Sequence, residues 1–222
     1  FAVQQPKTYW AEMDEWWDVV DGLGMFAVPS LGGGDWYYAA PNETLNDLVK
    51  NEHSNARRFA VDYVRTFVQR YSKRQSLLFW ELGNELNLRV DLPAPHCHPS
   101  QQCFNTSSMA RFQGALVQTI RAAEIDPVAR NPHGPRPVSS GFAAPRPSAW
   151  HQAHYPPHDA RYWHTDNETE WLEMLERQHA AAVDVWSVHL YDNAQEDRNT
   201  SMLSAAVARA RLRGKMLFLG EY

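Results

Sequence analysis

The chain has 222 residues, of which 44% are hydrophobic and 21% charged, and its formal net charge is −5. This is ordinary for a soluble globular protein and long enough for one sizeable core. No Lys/Arg block stands out, which argues against a nucleic-acid surface. No apolar stretch reaches the roughly 18 residues of a membrane span. The opening "FAVQQPKTYW" holds neither an initiator Met nor a signal peptide, and a trimmed or partial chain is expected.

The elements alternate along the chain. Met13, Trp16, Trp17 and Val20 recur at helical spacing, which assigns both tryptophans to a core stripe. "GMFAVPSL" (Gly24–Leu31) follows as a buried strand. The Gly32-Gly33-Gly34 run after it lacks dinucleotide-binding spacing, and a long polar loop follows instead of a helix. Just beyond lies Trp36, beside Tyr37 and Tyr38. Sugar rings stack on such aromatic faces, so Trp36 is a candidate for lining a cleft, with loop or core packing as the competing reading. Ala60, Tyr63, Val64, Phe67, Val68 and Tyr71 mark a second helix, followed by "SLLFWELG". Met109, Phe112, Leu116, Val117 and Ile120 mark a third, ended by Pro127 and the "NPHGPRP" turn, before "PVSSGFAA" (Pro137–Ala144). Trp171, Leu172 and Leu175 mark a fourth, before "VDVWSVHLY" (Val183–Tyr191). Met202, Leu203, Ala206, Val207 and Ala210 mark a fifth, stopped by Gly214, before "KMLFLGEY".

Near-continuous apolar strands separated by helices imply an α/β fold with a parallel sheet covered by helices. A doubly wound sheet and a (β/α)8 TIM barrel both fit that order. Polar groups at the C-terminal strand tips favour the barrel: Ser30, Asn84-Glu85, Ser139-Ser140, His189 with Tyr191, and Glu221. Long connections follow those tips, from Gly32 to Ser54, Asn87 to Thr106 and Ala144 to Asn167. The expectation is one domain over residues 1–222, covering about strands three to seven of an incomplete barrel. Two strands would precede Phe1 and one would follow Tyr222.

Four Asn-Glu pairs occur, but only Asn84-Glu85 closes a buried-strand pattern. Glu221 stands in a matching context, since each acid follows an apolar strand and a glycine (Gly83, Gly220). Paired carboxylates across one cleft suit glycoside hydrolysis, where one protonates the leaving oxygen and the other attacks the anomeric carbon. A solvated strand-end cap is the simpler account of either Glu alone. Matched contexts, with His189 and Tyr191 on the preceding strand, favour the functional one.

"FWELGNEL", "WSVHLY" and "LFLGEY", in that order and spacing, resemble strands four, six and seven of clan A retaining glycoside hydrolases, most nearly glycoside hydrolase family 5, the cellulase and mannanase family. "VDGLGMFAVPSL" resembles strand three and its preceding helix. The resemblance implies Glu85 as acid/base, Glu221 as nucleophile and Asn84 as the contact to the sugar 2-hydroxyl. It implies Tyr191 as a hydrogen-bond donor to the nucleophile and His189 as the cleft histidine beside it. It departs at Leu86, where the family commonly has Pro. The family's strand-two Arg and strand-eight Trp have no counterparts, which implies that the chain alone is inactive. A heparanase-like glucuronidase of the same clan, and a barrel that binds carbohydrate without cleaving it, are the alternatives.

Cys97 and Cys103 are the only cysteines. Their Pro-rich "HCHPSQQC" loop suits a short disulfide; a zinc site with His96 and His98 is the rival, at a spacing that matches no standard pattern. Sequons begin at Asn42, Asn105, Asn167 and Asn199. Together these favour a secreted protein. "HQAHYPPHD" offers His151, His154, His158 and Asp159 to a metal, but Pro156 and Pro157 break a helix there, so a solvated or substrate-lining loop is the better account. No G-x-S-x-G elbow occurs. The sequence therefore points to a secreted, cofactor-free monomer without a metal, acting on a β-linked polysaccharide or oligosaccharide, with no nucleic-acid or membrane partner.

Overall fold

The computed structural model describes residues 7–32, 40, 42–92, 104–125, 135–191 and 196–221. It is a mixed α/β structure whose four-stranded parallel sheet has the order β1-β2-β3-β4, with β1 Trp80–Glu81, β2 Val138–Ser139, β3 Val185–His189 and β4 Met216–Glu221. Its seven α-helices among the described residues are α1 Lys7–Gly22, α2 Leu45–Lys50, α3 Asn55–Tyr71, α4 Thr106–Ile125, α5 Ala149–His154, α6 Glu168–Gln178 and α7 Glu196–Leu212. Sequential parallel neighbours joined through helices are the arrangement that the alternating pattern implies.

The expected first strand runs beside β1 without forming a continuous ladder. Ala27 and Ser30 bridge in parallel to Leu77 and Glu81, the Ala27 amide donates to the Ser76 carbonyl at 2.8 Å, and the Leu31 amide donates to the Glu81 carbonyl at 2.8 Å. Pro29 accounts for the gap, because it has no N–H to donate. Met25 and Phe26 are exposed rather than buried.

The sheet is strongly curved. Phe79, just before β1, meets Phe218 of β4 edge-to-face with ring centroids 5.0 Å apart. Three inter-strand spacings would separate those strands by about 14 Å in a flat sheet. On the outer face, α3 and α1 pack an aromatic cluster against the sheet. Trp17 stacks on Tyr71 at 5.5 Å and Phe67 meets Trp80 edge-to-face at 6.2 Å, with Trp17, Tyr71 and Trp80 fully buried. Trp16 departs from its expected core position: it is 47% exposed, because adjacent helical residues point about 100° apart.

Capping chemistry sets the helix starts. Ser54 accepts from the Arg57 amide at 3.0 Å to open α3. Thr44 and Asp47 form a capping box that opens α2, in a stretch expected to be loop. Arg57, itself buried, then donates to the carbonyls of Leu48 and Val49 at 2.7 Å each, closing α2 onto α3. A helix also forms where the histidine-rich loop was expected. It is α5, and it ends at His154 before the two prolines, so His151 and His154 are helical residues.

Candidate active site

Three local features deliver three side chains to the C-terminal edge of the sheet. Glu85 leaves β1 with φ 52° and ψ 28°, a left-handed conformation that costs a non-glycine residue about 1–2 kcal/mol. Its amide donates to the Gly141 carbonyl at 2.8 Å, which ties the turn to the end of β2. Gly141 has φ +67°, and a β-carbon there would lie 1.7 Å from the Gly83 carbonyl oxygen. Only glycine fits that crossing.

On β3 and β4, Val188 pairs with Leu219 but His189 pairs with Glu221, so Gly220 is an extra residue in its strand. Such a bulge changes which face the next side chain takes. Strict alternation from the inward Phe218 would turn Glu221 outward; the bulge brings it inward beside His189. A β-carbon at Gly220 would lie 2.7 Å from His189 Nε2, so glycine at the bulge lets the imidazole sit against it.

His189 is buried and stands between the two acids. Its Nδ1 lies 3.1 Å from Glu85 Oε1 and 3.5 Å from Glu221 Oε1. One carboxylate oxygen from each acid and this nitrogen all lie within 4.8 Å of one another. The acids themselves are open to solvent, with side chains 22% and 40% exposed. Among the described residues the Glu85 carboxylate bonds only His189, and the Glu221 carboxylate takes no hydrogen bond. A third carboxylate, Glu81, lies on the same inner face. Burial pushes its carboxyl above the ordinary range, the positive form of His189 and the Ser30 hydroxyl pull it back, and negative Glu221 raises it again. Its Cγ and Cδ would lie 2.7 and 2.9 Å from a β-carbon at Gly141, so the same glycine makes room for this acid.

The other expected site residues are placed less uniformly. The Asn84 side chain is exposed beside Glu85. Tyr191 is 52% exposed and makes no hydrogen bond to Glu221 among the described residues. β3 ends at His189, so alternation no longer holds Tyr191 on the inner face. Trp36, Cys97 and Cys103 lie outside the described residues. Among the sequons, Asn42 is exposed at φ 67°. Asn105 accepts from the Ser108 amide at 2.8 Å, and Asn167 forms a capping box with Glu170 at the start of α6. Asn199 lies in the first turn of α7.

The histidine-rich segment does not form the cluster that "HQAHYPPHD" suggests. Asp159 caps a 3-10 helix (Ala160–Trp163) and pairs with Arg161 at 2.7 Å, and His154 Nδ1 lies 2.7 Å from the Trp150 carbonyl oxygen. His151 instead turns to Asp166 at 2.9 Å and Glu170 at 3.9 Å. Those carboxylates already serve the backbone. Asp166 accepts from the amides of Trp150 and His151 at 2.8 and 3.4 Å, and Glu170 accepts from the Asn167 amide at 2.8 Å.

Glu81 escapes a reading based on strand tips, because it sits inside the apolar run. Its one signal is a carboxylate at even spacing from Phe79 in an otherwise hydrophobic strand. Comparison with protein-family models and with curated proteins gives no match to this chain.

Proposed function

We propose that this chain carries the catalytic centre of a retaining glycoside hydrolase that cleaves β-linked polysaccharide or oligosaccharide, such as β-glucan or β-mannan. The observation that carries the proposal is the convergence of Glu85 and Glu221. They are 221 − 85 = 136 positions apart in sequence, yet their oxygens lie within 4.8 Å through a shared imidazole neighbour. Retaining enzymes hold their carboxyl groups roughly 5–5.5 Å apart, whereas inverting ones leave room for a water between them. The spacing supports the retaining class.

In this mechanism Glu85 begins protonated and gives its proton to the glycosidic oxygen. Glu221 begins ionised and attacks the anomeric carbon. Glu85, now ionised, takes a proton from water, which releases the sugar from Glu221. His189 Nδ1–H bonds Glu85 at 3.1 Å and stands 3.5 Å from Glu221, so a shift of the ring toward the nucleophile lets it stabilise that charge instead. Asn84 meets the sugar 2-hydroxyl beside the reacting centre. Tyr191 completes the cleft wall around the bound sugar.

The fold proposed with this function is the (β/α)8 barrel. Its support is the parallel order, the helical connections and the curvature that brings Phe79 to Phe218. Secretion as a monomeric glycoprotein is part of the same proposal and rests on the sequons and the cysteine pair.

The test uses the full-length protein on a panel of β-glucans and β-mannans. Glu85→Gln and Glu221→Gln should each lose turnover while remaining folded. Azide added to Glu221→Ala should restore turnover and give a glycosyl azide of inverted configuration; azide with Glu85→Ala should give the retained one. Wild-type turnover in either Gln variant overturns the assignment.

A further inference from the structure

We propose that Glu85, His189 and Glu221 also form a binding site for a divalent cation of the zinc class, and that cation and saccharide exclude each other there. The competition rests on the proposed hydrolase function; the cation site itself does not.

The donor set is two carboxylate oxygens and one imidazole nitrogen, which zinc accepts as three protein ligands with a fourth position left open. Zinc bonds of about 2.0–2.1 Å in a tetrahedron place neighbouring donor atoms roughly 3.3–3.4 Å apart. The nitrogen stands 3.1 and 3.5 Å from the two oxygens, on either side of that value. The carboxylates retain their coordinating capacity, since neither takes a second hydrogen bond among the described residues. A neutral imidazole has a single proton for Nδ1, so it can donate to one acid at a time, and a cation would satisfy both.

Binding requires the Nδ1 lone pair, which moves the ring proton to Nε2. A ligating imidazole ordinarily donates its other N–H to a polar group. Ser187, two residues earlier on β3, would take that role once the ring proton moves to Nε2. Its hydroxyl is buried with no partner among the described residues. His189 Nε2 and Ser187 Oγ flank the same point, 2.7 and 3.2 Å from where a Gly220 β-carbon would be. Glu81 adds a third carboxylate to the same face. The mixed nitrogen and oxygen set favours zinc and copper over magnesium, which prefers six oxygens and keeps its water.

The second His-carboxylate cluster is the internal control. His151, Asp166 and Glu170 satisfy the same proximity criterion, but their carboxylates are committed to backbone amides.

Zinc chloride is titrated calorimetrically into the full-length protein in a metal-free buffer near neutral pH. One zinc per chain is expected, with no heat from magnesium under the same conditions. His189→Ala and Glu221→Gln, each checked for native circular dichroism, should weaken binding by more than about tenfold, the loss typical even for outer partners of a metal site. His151→Gln should bind within about twofold of wild type. In wild-type hydrolysis assays zinc should raise KM without changing kcat. No zinc binding, or zinc binding intact in His189→Ala and lost in His151→Gln, overturns the site. Inhibition that lowers kcat alone overturns the competition. Tight binding with no hydrolysis of any substrate leaves the site standing and removes the hydrolase function instead.

Discussion

His151 and His189 each present Nδ1 to two carboxylates, at 2.9 and 3.9 Å in one cluster and at 3.1 and 3.5 Å in the other. What differs is the occupation of the acids. In the first cluster Asp166 is fully buried and holds two backbone amides of α5, while Glu170 closes the capping box of α6. Asp166 thus meets backbone amides with both of its oxygens, and Glu170 meets one with Oε2, so both acids already organise a loop. In the second, Glu85 and Glu221 are partly exposed; among the described residues Glu85 bonds only the imidazole and Glu221 stands 3.5 Å from it. Glu85 is also kept in a left-handed conformation that a non-glycine residue adopts at a cost. Committed lone pairs set the first cluster apart as structural, and the spare ones on a strained, partly exposed pair are what the proposed chemistry would use.

The sharpest way to break that distinction is to neutralise the acids of each cluster. Glu85→Gln and Glu221→Gln should lower kcat by about 10³-fold or more, at the upper end for a proton-transferring group and its partner, with the melting temperature unchanged or raised. Steady-state kinetics beside calorimetry reads both. A cleft variant that lost stability in proportion to activity would make the second cluster structural as well.

A pH effect must be separated before activity profiles are compared. Burial pushes the His179 imidazole from an ordinary value of 6.5 down to about 4, against the raising effect of the Leu175 and Ser187 carbonyls. Between those values the unfolded chain binds a proton that the folded one refuses. Stability is therefore full above pH 6.5, falls as pH drops towards 4, and levels off below it. The loss is on the order of 3 kcal/mol. Urea denaturation at pH 7 and pH 4.5 should show it, and His179→Gln should flatten the difference. Because His179 Nε2 faces Ser187 on the strand that carries His189, an acid-side activity loss shared by wild type and absent from His179→Gln is unfolding rather than catalysis.

Asp166→Asn supplies the reciprocal of the cleft variants. The amide keeps one oxygen for a backbone donor but turns an NH2 toward others, leaving buried groups unpaired. It should cost about 2–3 kcal/mol of stability while the folded fraction retains wild-type kcat. Thermal melts paired with specific activity measure this.

The two clusters were unequally legible in the sequence. Glu85 and Glu221 stand at the ends of apolar runs behind a glycine, so strand-tip logic finds them. What aims them does not follow from composition. The Gly220 bulge is a one-residue register change, and its effect depends on the partner strand. Glu81 hides because strands buried on both faces lose the alternation that would reveal an inward carboxylate. Tyr191 shares the parity of His189, and only the end of the ladder separates their fates. The His151–Asp166 contact spans a turn, the proline pair and a 3-10 helix, a path that no local periodicity reports. The Thr44 capping box was readable, since T-x-x-D before an apolar pair is a local signal; it is obscured by the surrounding polar loop.

The smallest expected effect falls on the outermost member of the structural cluster. Asn167 accepts from the Glu170 amide at 3.1 Å, and the Glu170 carboxylate answers the Asn167 amide at 2.8 Å. Asn167→Ala removes the first bond and leaves the second, so α6 should lose about 1 kcal/mol, as for an exposed N-cap. Glu170 would then be freer to turn toward His151, now 3.9 Å away. If the committed-lone-pair distinction holds, loosening one acid of this cluster should begin to convert it. Asn167→Ala should therefore show a weak second zinc heat that wild type lacks, and Asn167→Asp, which keeps the cap and adds negative charge at the helix start, should not. Equal calorimetric traces for Asn167→Ala and wild type, with the expected loss of stability, would mean that Asp166 alone keeps this cluster closed.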